Sequence, residues 1–150
     1  MTTDVLGSFR ASLRPNLEAD LQGSLRILVV DDDQAFAVLL TTYMFRDPDM
    51  AVVGWASGVL DGVLLNKSLR PDVVLLDYHL PDGNGAWAAR LIRKTSPGAA
   101  IIVLSAAASD QEVTQALQEG ADMFLSKMTP LSDLCCAVRE LALRPIGISC

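Results

Sequence analysis

The chain has 150 residues, 51% of them hydrophobic and 20% charged, a composition that suits one folded domain and excludes disorder over its whole length. Its apolar residues occur in short runs, and none approaches the roughly 20 consecutive residues that a membrane-spanning helix requires. The formal net charge of -6 argues against direct nucleic-acid binding by this chain, because contacts to phosphates need a basic face.

Residues 1–24 are predicted to form an N-terminal extension outside the folded domain. Apolar residues recur in it every four positions, although Pro15 interrupts the pattern: Phe9, Leu13, Leu17 and Leu21. The segment is therefore either a short helix or a loose tail. It has no basic start followed by an apolar block, so it does not resemble a secretion signal. Because the three cysteines also lack the pattern of a disulfide framework, we expect a cytoplasmic protein without a membrane partner.

From residue 25 onward, apolar runs alternate with segments of helical periodicity. The apolar runs predict five strands, at residues 26–31, 50–56, 71–77, 99–105 and 122–126. The segments between and after them predict five helices, at residues 34–46, 58–69, 86–94, 110–119 and 130–143. The first, third and fourth strands are apolar on both faces, as expected for central parallel strands covered by helices. The sequence therefore predicts an α/β domain with a doubly wound sheet over residues 25–144.

Polar residues follow four of these strands at the point where each strand ends. The first strand leads into Asp31 and Asp32, the third into Asp77, the fourth into Ser105 and the fifth into Lys127. In doubly wound sheets, ligands bind beyond the carboxyl ends of the parallel strands. The topology therefore predicts that these five side chains share one edge of the sheet.

Carboxylates clustered at this edge suit a hard divalent cation, because Mg²⁺ prefers oxygen ligands and offsets their mutual repulsion. A free carboxylate beside such a metal can act as a nucleophile and form an aspartyl phosphate. The metal, the Lys127 amine and the Ser105 hydroxyl would then hold the three equatorial phosphoryl oxygens. Neither G-x4-G-K-[ST] nor G-x-G-x-x-G is present, so a nucleotide is not the expected phosphoryl source. Asp33, in contrast, is expected to cap the helix predicted at 34–46.

Four motifs, in this order, resemble the receiver domains of two-component response regulators: "ILVVDDD", "PDVVLLDYHLPDGNG", "IIVLSA" and "GADMFLSK". The resemblance covers residues 25–144. The intervals of 45 residues from Asp32 to Asp77, 28 from there to Ser105 and 22 from there to Lys127 are similar to those of the family. The resemblance implies a flavodoxin-like (βα)5 fold, in which five parallel strands have the order 2-1-3-4-5.

The resemblance also implies how the acidic residues act. Asp77 would accept a phosphoryl group from a phosphohistidine on a partner, either a sensor histidine kinase or a phosphotransfer protein. Mg²⁺ would be bound by Asp31, Asp32, Asp77 and the backbone carbonyl of His79. Such a chain would catalyse its own phosphotransfer and dephosphorylation, and it would not be a turnover enzyme.

Three further residues would connect the phosphoryl group to a change in the partner-binding surface. Lys127 would pair with a phosphoryl oxygen, and Ser105 would be the switch hydroxyl that moves onto the phosphoryl group. Phe124 occupies the position of the family's switch aromatic. Because Phe124 has no phenolic oxygen, any hydrogen bond that a tyrosine would make in the switched state is unavailable here.

Two segments, "SKMTP" and "VVGWASG", resemble the NarL/FixJ group, whose members usually carry a C-terminal helix-turn-helix. Many other receivers have proline directly after the lysine, whereas Met128 and Thr129 precede Pro130 here. Residues 145–150 are either a short tail of a stand-alone receiver or the start of a linker. The second interpretation is favoured because "ALRPIGIS" resembles such a linker, and it would place an output domain that controls transcription beyond this chain. The resemblance is also compatible with a homodimer.

Two other functions fit parts of the sequence. A phosphate-independent interaction module would share the fold, but the complete set of acidic residues, hydroxyl and lysine argues against it. A phosphatase or phosphotransferase of the haloacid dehalogenase type would use the D-x-D motif formed by Asp31 and Asp33. That family usually has a threonine where this chain has Ala35, and the chain is short for that fold with its cap.

Overall fold

The alternating pattern folds into a parallel sheet with helices on both of its faces. The computed structural model describes residues 23–143, so the predictions for residues 1–22 and 144–150 lie outside the described residues. The strands of the sheet are β1 (Leu25–Val30), β2 (Met50–Ala56), β3 (Val73–Asp77), β4 (Ala100–Ser105) and β5 (Met123–Ser126). The helices are α1 (Gln34–Phe45), α2 (Val59–Leu69), α3 (Gly85–Thr95), α4 (Asp110–Glu119) and α5 (Leu131–Ala142).

The sheet has the order β2-β1-β3-β4-β5, and all of its neighbouring strands are parallel. The predicted fold class and strand order are therefore confirmed. Every predicted element is present, and its ends differ from the prediction by at most two residues. The largest difference is at β3, which begins at Val73 and not at Pro71, since a proline has no N–H to donate to the sheet.

Side chains alternate between two apolar cores, one on each face of the sheet. Ile27 and Val29 pack with α1 and α5 on one face, while Leu28 and Val30 pack with α2, α3 and α4 on the other. This period-two alternation, with both faces covered, explains why the central strands are apolar throughout. The two cores cover both faces of the sheet, and the carboxyl ends of its strands lead into loops.

Those loops carry the caps that begin the helices. The carboxylate of Asp33 accepts a hydrogen bond from the Phe36 N–H at 3.2 Å, which confirms its predicted role as the cap of α1. The loop between β3 and α3 contains a short antiparallel ribbon, in which His79–Leu80 pairs with Gly83–Asn84. Within residues 23–143, no helix combines the length and apolar content needed to cross a bilayer.

Candidate functional site

Three carboxylates meet at the carboxyl edge of the sheet. Asp31 and Asp32 follow β1, Asp77 is the last residue of β3, and these two strands are hydrogen-bonded neighbours. One oxygen from each carboxylate lies within 4.8 Å of the others. Asp31 and Asp77 are buried, whereas Asp32 is exposed. The cluster, called the pocket below, is therefore accessible to solvent on the side of Asp32.

Lys127 supplies the positive charge that faces this pocket. Its Nζ lies 2.8 Å from Asp31 Oδ2 and 3.4 Å from Asp77 Oδ2, and the side chain is only 17% exposed. The backbone N–H of Lys127 donates to the carbonyl of Ser105 at 2.9 Å, which fixes the turn after β5. The ammonium also lies 4.8 Å from the centre of the Phe36 ring, in cation–π geometry. The side chain of Lys127 thus connects the end of β5 to the ends of β1 and β3.

The pocket changes the acid–base properties of its members. Burial, followed by the negative charge of Asp31, raises the pKa of Asp77 from 3.8 to about 6, although Lys127 acts in the opposite direction. Burial alone would lower the pKa of Lys127, but its hydrogen bonds and charge interactions with Asp31 and Asp77 give a net increase. A single ammonium therefore does not fully compensate two buried carboxylates, and the pocket favours further positive charge.

The raised pKa of Asp77 predicts a specific dependence of stability on pH. As pH rises through 3.8, the carboxyl loses its proton in the unfolded chain, while the folded protein retains it until pH 6. The unfolded chain is favoured across this interval, so we expect the contribution of Asp77 to the free energy of unfolding to fall by about 3 kcal/mol. Denaturant titrations of wild type and Asp77→Asn in metal-free buffer would measure it. Their difference should grow between pH 4 and pH 6.5, and a difference that is independent of pH would contradict the prediction.

Backbone and indole donors hold the two buried carboxylate residues in place. The Asp33 N–H donates to Asp31 Oδ1 at 2.8 Å, and the His79 N–H donates to Asp77 Oδ1 at 3.4 Å. The indole Nε1 of Trp55, which is buried in β2, donates to the backbone carbonyl of Asp31 at 2.7 Å. These contacts orient the carboxylates toward the pocket before any ligand binds.

The residues predicted to switch lie beside the pocket. Ser105 is buried at the end of β4, and its hydroxyl donates to the carbonyl of Ala107 at 2.8 Å. Phe124 is half-buried in β5, and the centre of its ring lies 6.0 Å from that of Tyr78. Tyr78 is buried directly after Asp77 and places its hydroxyl 3.5 Å from an amide oxygen of α4. An aromatic contact therefore connects the end of β3 with β5.

The only histidine, His79, lies in the ribbon two residues beyond Asp77. Its side chain is 63% exposed, and Nε2 lies 4.0 Å from Glu112 Oε2 of α4. Its backbone is paired with Asn84 across the ribbon. The imidazole thus points to solvent beside α4, and the role of the His79 carbonyl as a metal ligand stays a prediction.

Two residues near the pocket were not identified from the sequence. Trp55 packs in the core, and its indole also donates to the backbone carbonyl of Asp31. The carboxylate of Asp82 caps α2 by accepting hydrogen bonds from the Val59 and Leu60 N–H groups. The one sequence signal for this cap is glycine at position 58, which leaves the start of α2 without a capping side chain of its own.

The donor set fits a magnesium ion. Three carboxylates from two adjacent strands provide hard oxygen ligands on one side, and the exposed side of the pocket leaves room for the waters that Mg²⁺ retains. Burial, and then the charge of Asp31, raise the pKa of Asp77, and a divalent cation would favour its charged form. Asp31, Asp32 and Asp77 are therefore suitable ligands for such an ion.

Comparison with known proteins agrees with this geometry. The family model described as "Response regulator receiver domain" matches residues 27–139. The chain is 31% identical over 117 residues to the response regulator protein VraR of Staphylococcus epidermidis, and 29% identical to VraR of Staphylococcus aureus. Each alignment covers 78% of this chain but 56% of the relative, so the chain spans little more than half the length of these proteins.

Solved structures of receiver domains also superpose on this chain over almost their whole length. The signal receiver domain of the putative response regulator NarL from Mycobacterium tuberculosis superposes with a TM-score of 0.76 at 32% identity, covering 79% of this chain and 96% of that domain. The response regulator domain of Thermotoga maritima CheB superposes with a TM-score of 0.73 at 30% identity, with the same coverage. The sheet and helices described above are thus those of these receiver domains.

Proposed function

The chain belongs to the response regulator receiver domain family, and we propose that it is a phosphorylation-controlled signalling switch whose phosphoryl acceptor is Asp77. One observation carries the proposal. A buried carboxylate with a raised pKa lies close to two further aspartates and a lysine ammonium, at the carboxyl edge of the sheet, where Asp32 is exposed to solvent. This arrangement supplies a nucleophile, a cation site and a charge partner for a phosphoryl oxygen.

The proposed reaction is a phosphoryl transfer from a phosphohistidine on a sensor histidine kinase or phosphotransfer protein. An oxygen of Asp77 forms a bond to phosphorus while the bond from phosphorus to the donor's imidazole nitrogen breaks. The ammonium of Lys127, which lies 3.4 Å from Asp77 Oδ2, neutralises one of the phosphoryl oxygens. Water would later attack the phosphorus and break its bond to Asp77, releasing inorganic phosphate; the chain would thus act only on its own Asp77 and would not be a turnover enzyme.

Asp31, Asp32 and Asp77, with the backbone carbonyl of His79, would hold Mg²⁺ in this reaction. The bound ion supplies positive charge against the phosphoryl oxygens, which is where negative charge is greatest during transfer. Asp31 is prepared for this role by the donors on its backbone and carboxylate, and Asp32 by its exposure at the mouth of the pocket.

Phosphorylation would then change the surface beside the pocket. A phosphoryl group adds about -1.5 to -2 charges at neutral pH. The hydroxyl of Ser105 would exchange the Ala107 carbonyl for a phosphoryl oxygen, which removes the hydrogen bond that closes the loop after β4. Phe124, half-buried on the adjacent strand, would repack in response and alter the surface that partners recognise.

The wider role is also a proposal, since the chain spans little more than half the length of the VraR proteins. We infer that the receiver controls transcription through an output domain outside this chain, as the resemblance to the NarL/FixJ group implies. A homodimer of receivers is a second assembly that fits this role. The cytoplasm is the compartment in which such a regulator would act.

The proposal is tested by incubating the protein with acetyl phosphate and MgCl2 and recording its intact mass. We expect a gain of one phosphoryl group that is stable in acid and labile in base, and that is abolished by EDTA. Uptake that is unaffected by EDTA would contradict the magnesium site. No uptake, and no response of tryptophan fluorescence to beryllofluoride with MgCl2, would favour a phosphate-independent interaction module.

A further inference from the structure

Helix α2 is capped by a residue that lies 23 positions beyond the first residue of the helix in the chain. The two carboxylate oxygens of Asp82 accept separate hydrogen bonds from the first N–H groups of α2, at 2.7 Å from Val59 and 3.1 Å from Leu60. These bonds lower the pKa of Asp82, because they favour its charged form. A cap of this kind ordinarily comes from the residue directly before the helix.

Gly58 makes room for this arrangement. It occupies the N-cap position of α2 with an extended backbone and has no side chain to cap the helix. A Cβ atom at this position would lie 2.8 Å from Asp82 Oδ1, which is too close for the carboxylate to remain in place. The Asp82 carboxylate therefore has room to cap α2 because residue 58 has no side chain.

Asp82 lies in the turn of the ribbon that begins just beyond the phosphoryl acceptor. The ribbon pairs His79–Leu80 with Gly83–Asn84, so Asp82 and His79 belong to the same small unit. The N–H of His79 donates to Asp77 Oδ1 at 3.4 Å, which places the start of the ribbon against the pocket. The cap consequently connects one wall of the pocket to a helix on the face of the sheet.

We propose that Asp82 is a positioning residue, which anchors the ribbon to α2 and thereby holds the backbone carbonyl of His79 where it can bind Mg²⁺. The inference rests on the proposed function, and it assigns to Asp82 a role that α2 alone does not require. If Asp82 served only as a helix cap, any side chain that capped α2 would replace it. If Asp82 also anchors the ribbon, a side chain at the N-cap position of α2 itself would restore the stability of the helix but not the magnesium affinity of the pocket.

The test compares three variants by thermal unfolding and by NMR titration of the backbone amides with MgCl2. Asp82→Ala removes both the cap and the anchor. The double variant Asp82→Ala with Gly58→Ser returns a cap to α2 from its own N-cap position, whose backbone is already extended, and leaves the ribbon unanchored. Asp61→Ala is the matched control, since it removes an exposed carboxylate from the first turn of the same helix.

For Asp82→Ala we expect an unfolding midpoint lower by about 3–6 °C and a magnesium dissociation constant raised about 3- to 10-fold. The double variant should regain the midpoint while its dissociation constant stays raised, and Asp61→Ala should bind Mg²⁺ as wild type does. Recovery of magnesium affinity together with stability, or unchanged affinity in Asp82→Ala, would show that Asp82 is a helix cap only. If the wild-type protein binds no Mg²⁺, the proposed function itself fails, and the inference fails with it.

Discussion

Asp77→Asn is expected to take up no phosphoryl group from acetyl phosphate, and to unfold less readily than wild type. The amide has no anionic oxygen to attack phosphorus, so intact mass should show no base-labile gain. The same change removes a buried charge that burial and Asp31 oppose. At pH 7.5 without metal, the free energy of unfolding should therefore rise by about 1–3 kcal/mol, measured by denaturant titration.

Asp33→Asn is the matched control for this result. Asp33 lies two residues beyond Asp31, but its carboxylate caps α1, and asparagine caps helices equally well. The control should take up the phosphoryl group and unfold as wild type does. Undiminished uptake by Asp77→Asn would show that another residue is the phosphoryl acceptor. A lower free energy of unfolding in Asp77→Asn would contradict the inference that the pocket carries uncompensated negative charge.

Lys127→Ala is expected to show the second large effect, a loss of stability that magnesium reverses. Removing the ammonium leaves Asp31 and Asp77 facing each other without a counter-charge. Because Lys127 is partly exposed and Asp77 can take up a proton, the cost at pH 8 should be about 1–3 kcal/mol, below that of breaking a fully buried ion pair. The cost should be smaller at pH 5.5, where Asp77 of the folded variant is protonated.

The metal dependence distinguishes this explanation from a general loss of packing. Denaturant titrations in EDTA and in MgCl2 should show that Mg²⁺ stabilises Lys127→Ala more than it stabilises wild type, since the ion replaces the missing charge. Lys94→Ala, which removes an exposed lysine of α3, should respond to magnesium as wild type does. Equal stabilisation of all three proteins would mean that Lys127 does not compensate the carboxylates.

Much of this site could be predicted from the sequence because strand ends are a property of local pattern. A run such as the one from Ile27 to Val30 identifies a buried parallel strand, and the residue after it must lie at the carboxyl edge. The same rule placed Asp77 and Ser105 at that edge. The order of the strands followed from the resemblance to a known family, since apolar runs alone do not determine which strands are neighbours.

Contacts that depend on side-chain direction could not be predicted in this way. The indole of Trp55 reaches the carbonyl of Asp31 only because β1 and β2 pair in one particular register. Asp82 reaches α2 only because the ribbon folds back over the start of that helix. The hydroxyl of Ser105 donates to the carbonyl of Ala107, a choice between rotamers that no sequence pattern encodes.

The bridge from Lys127 to Asp31 has a consequence for the motions of the sheet. β5 is an edge strand, hydrogen-bonded to β4 alone, so it is the strand with the least backbone support on that side. Lys127, which follows β5, forms an ion pair with Asp31 and so connects this edge of the sheet to the interior strand β1. Any ligand that draws the ammonium away from Asp31 would break this ion pair, and we expect local unfolding of β5 to become easier. We expect occupancy of the pocket to act on Phe124 and α5 through a larger amplitude of fluctuation, in addition to any change in shape, and hydrogen exchange of the β5 amides would measure it.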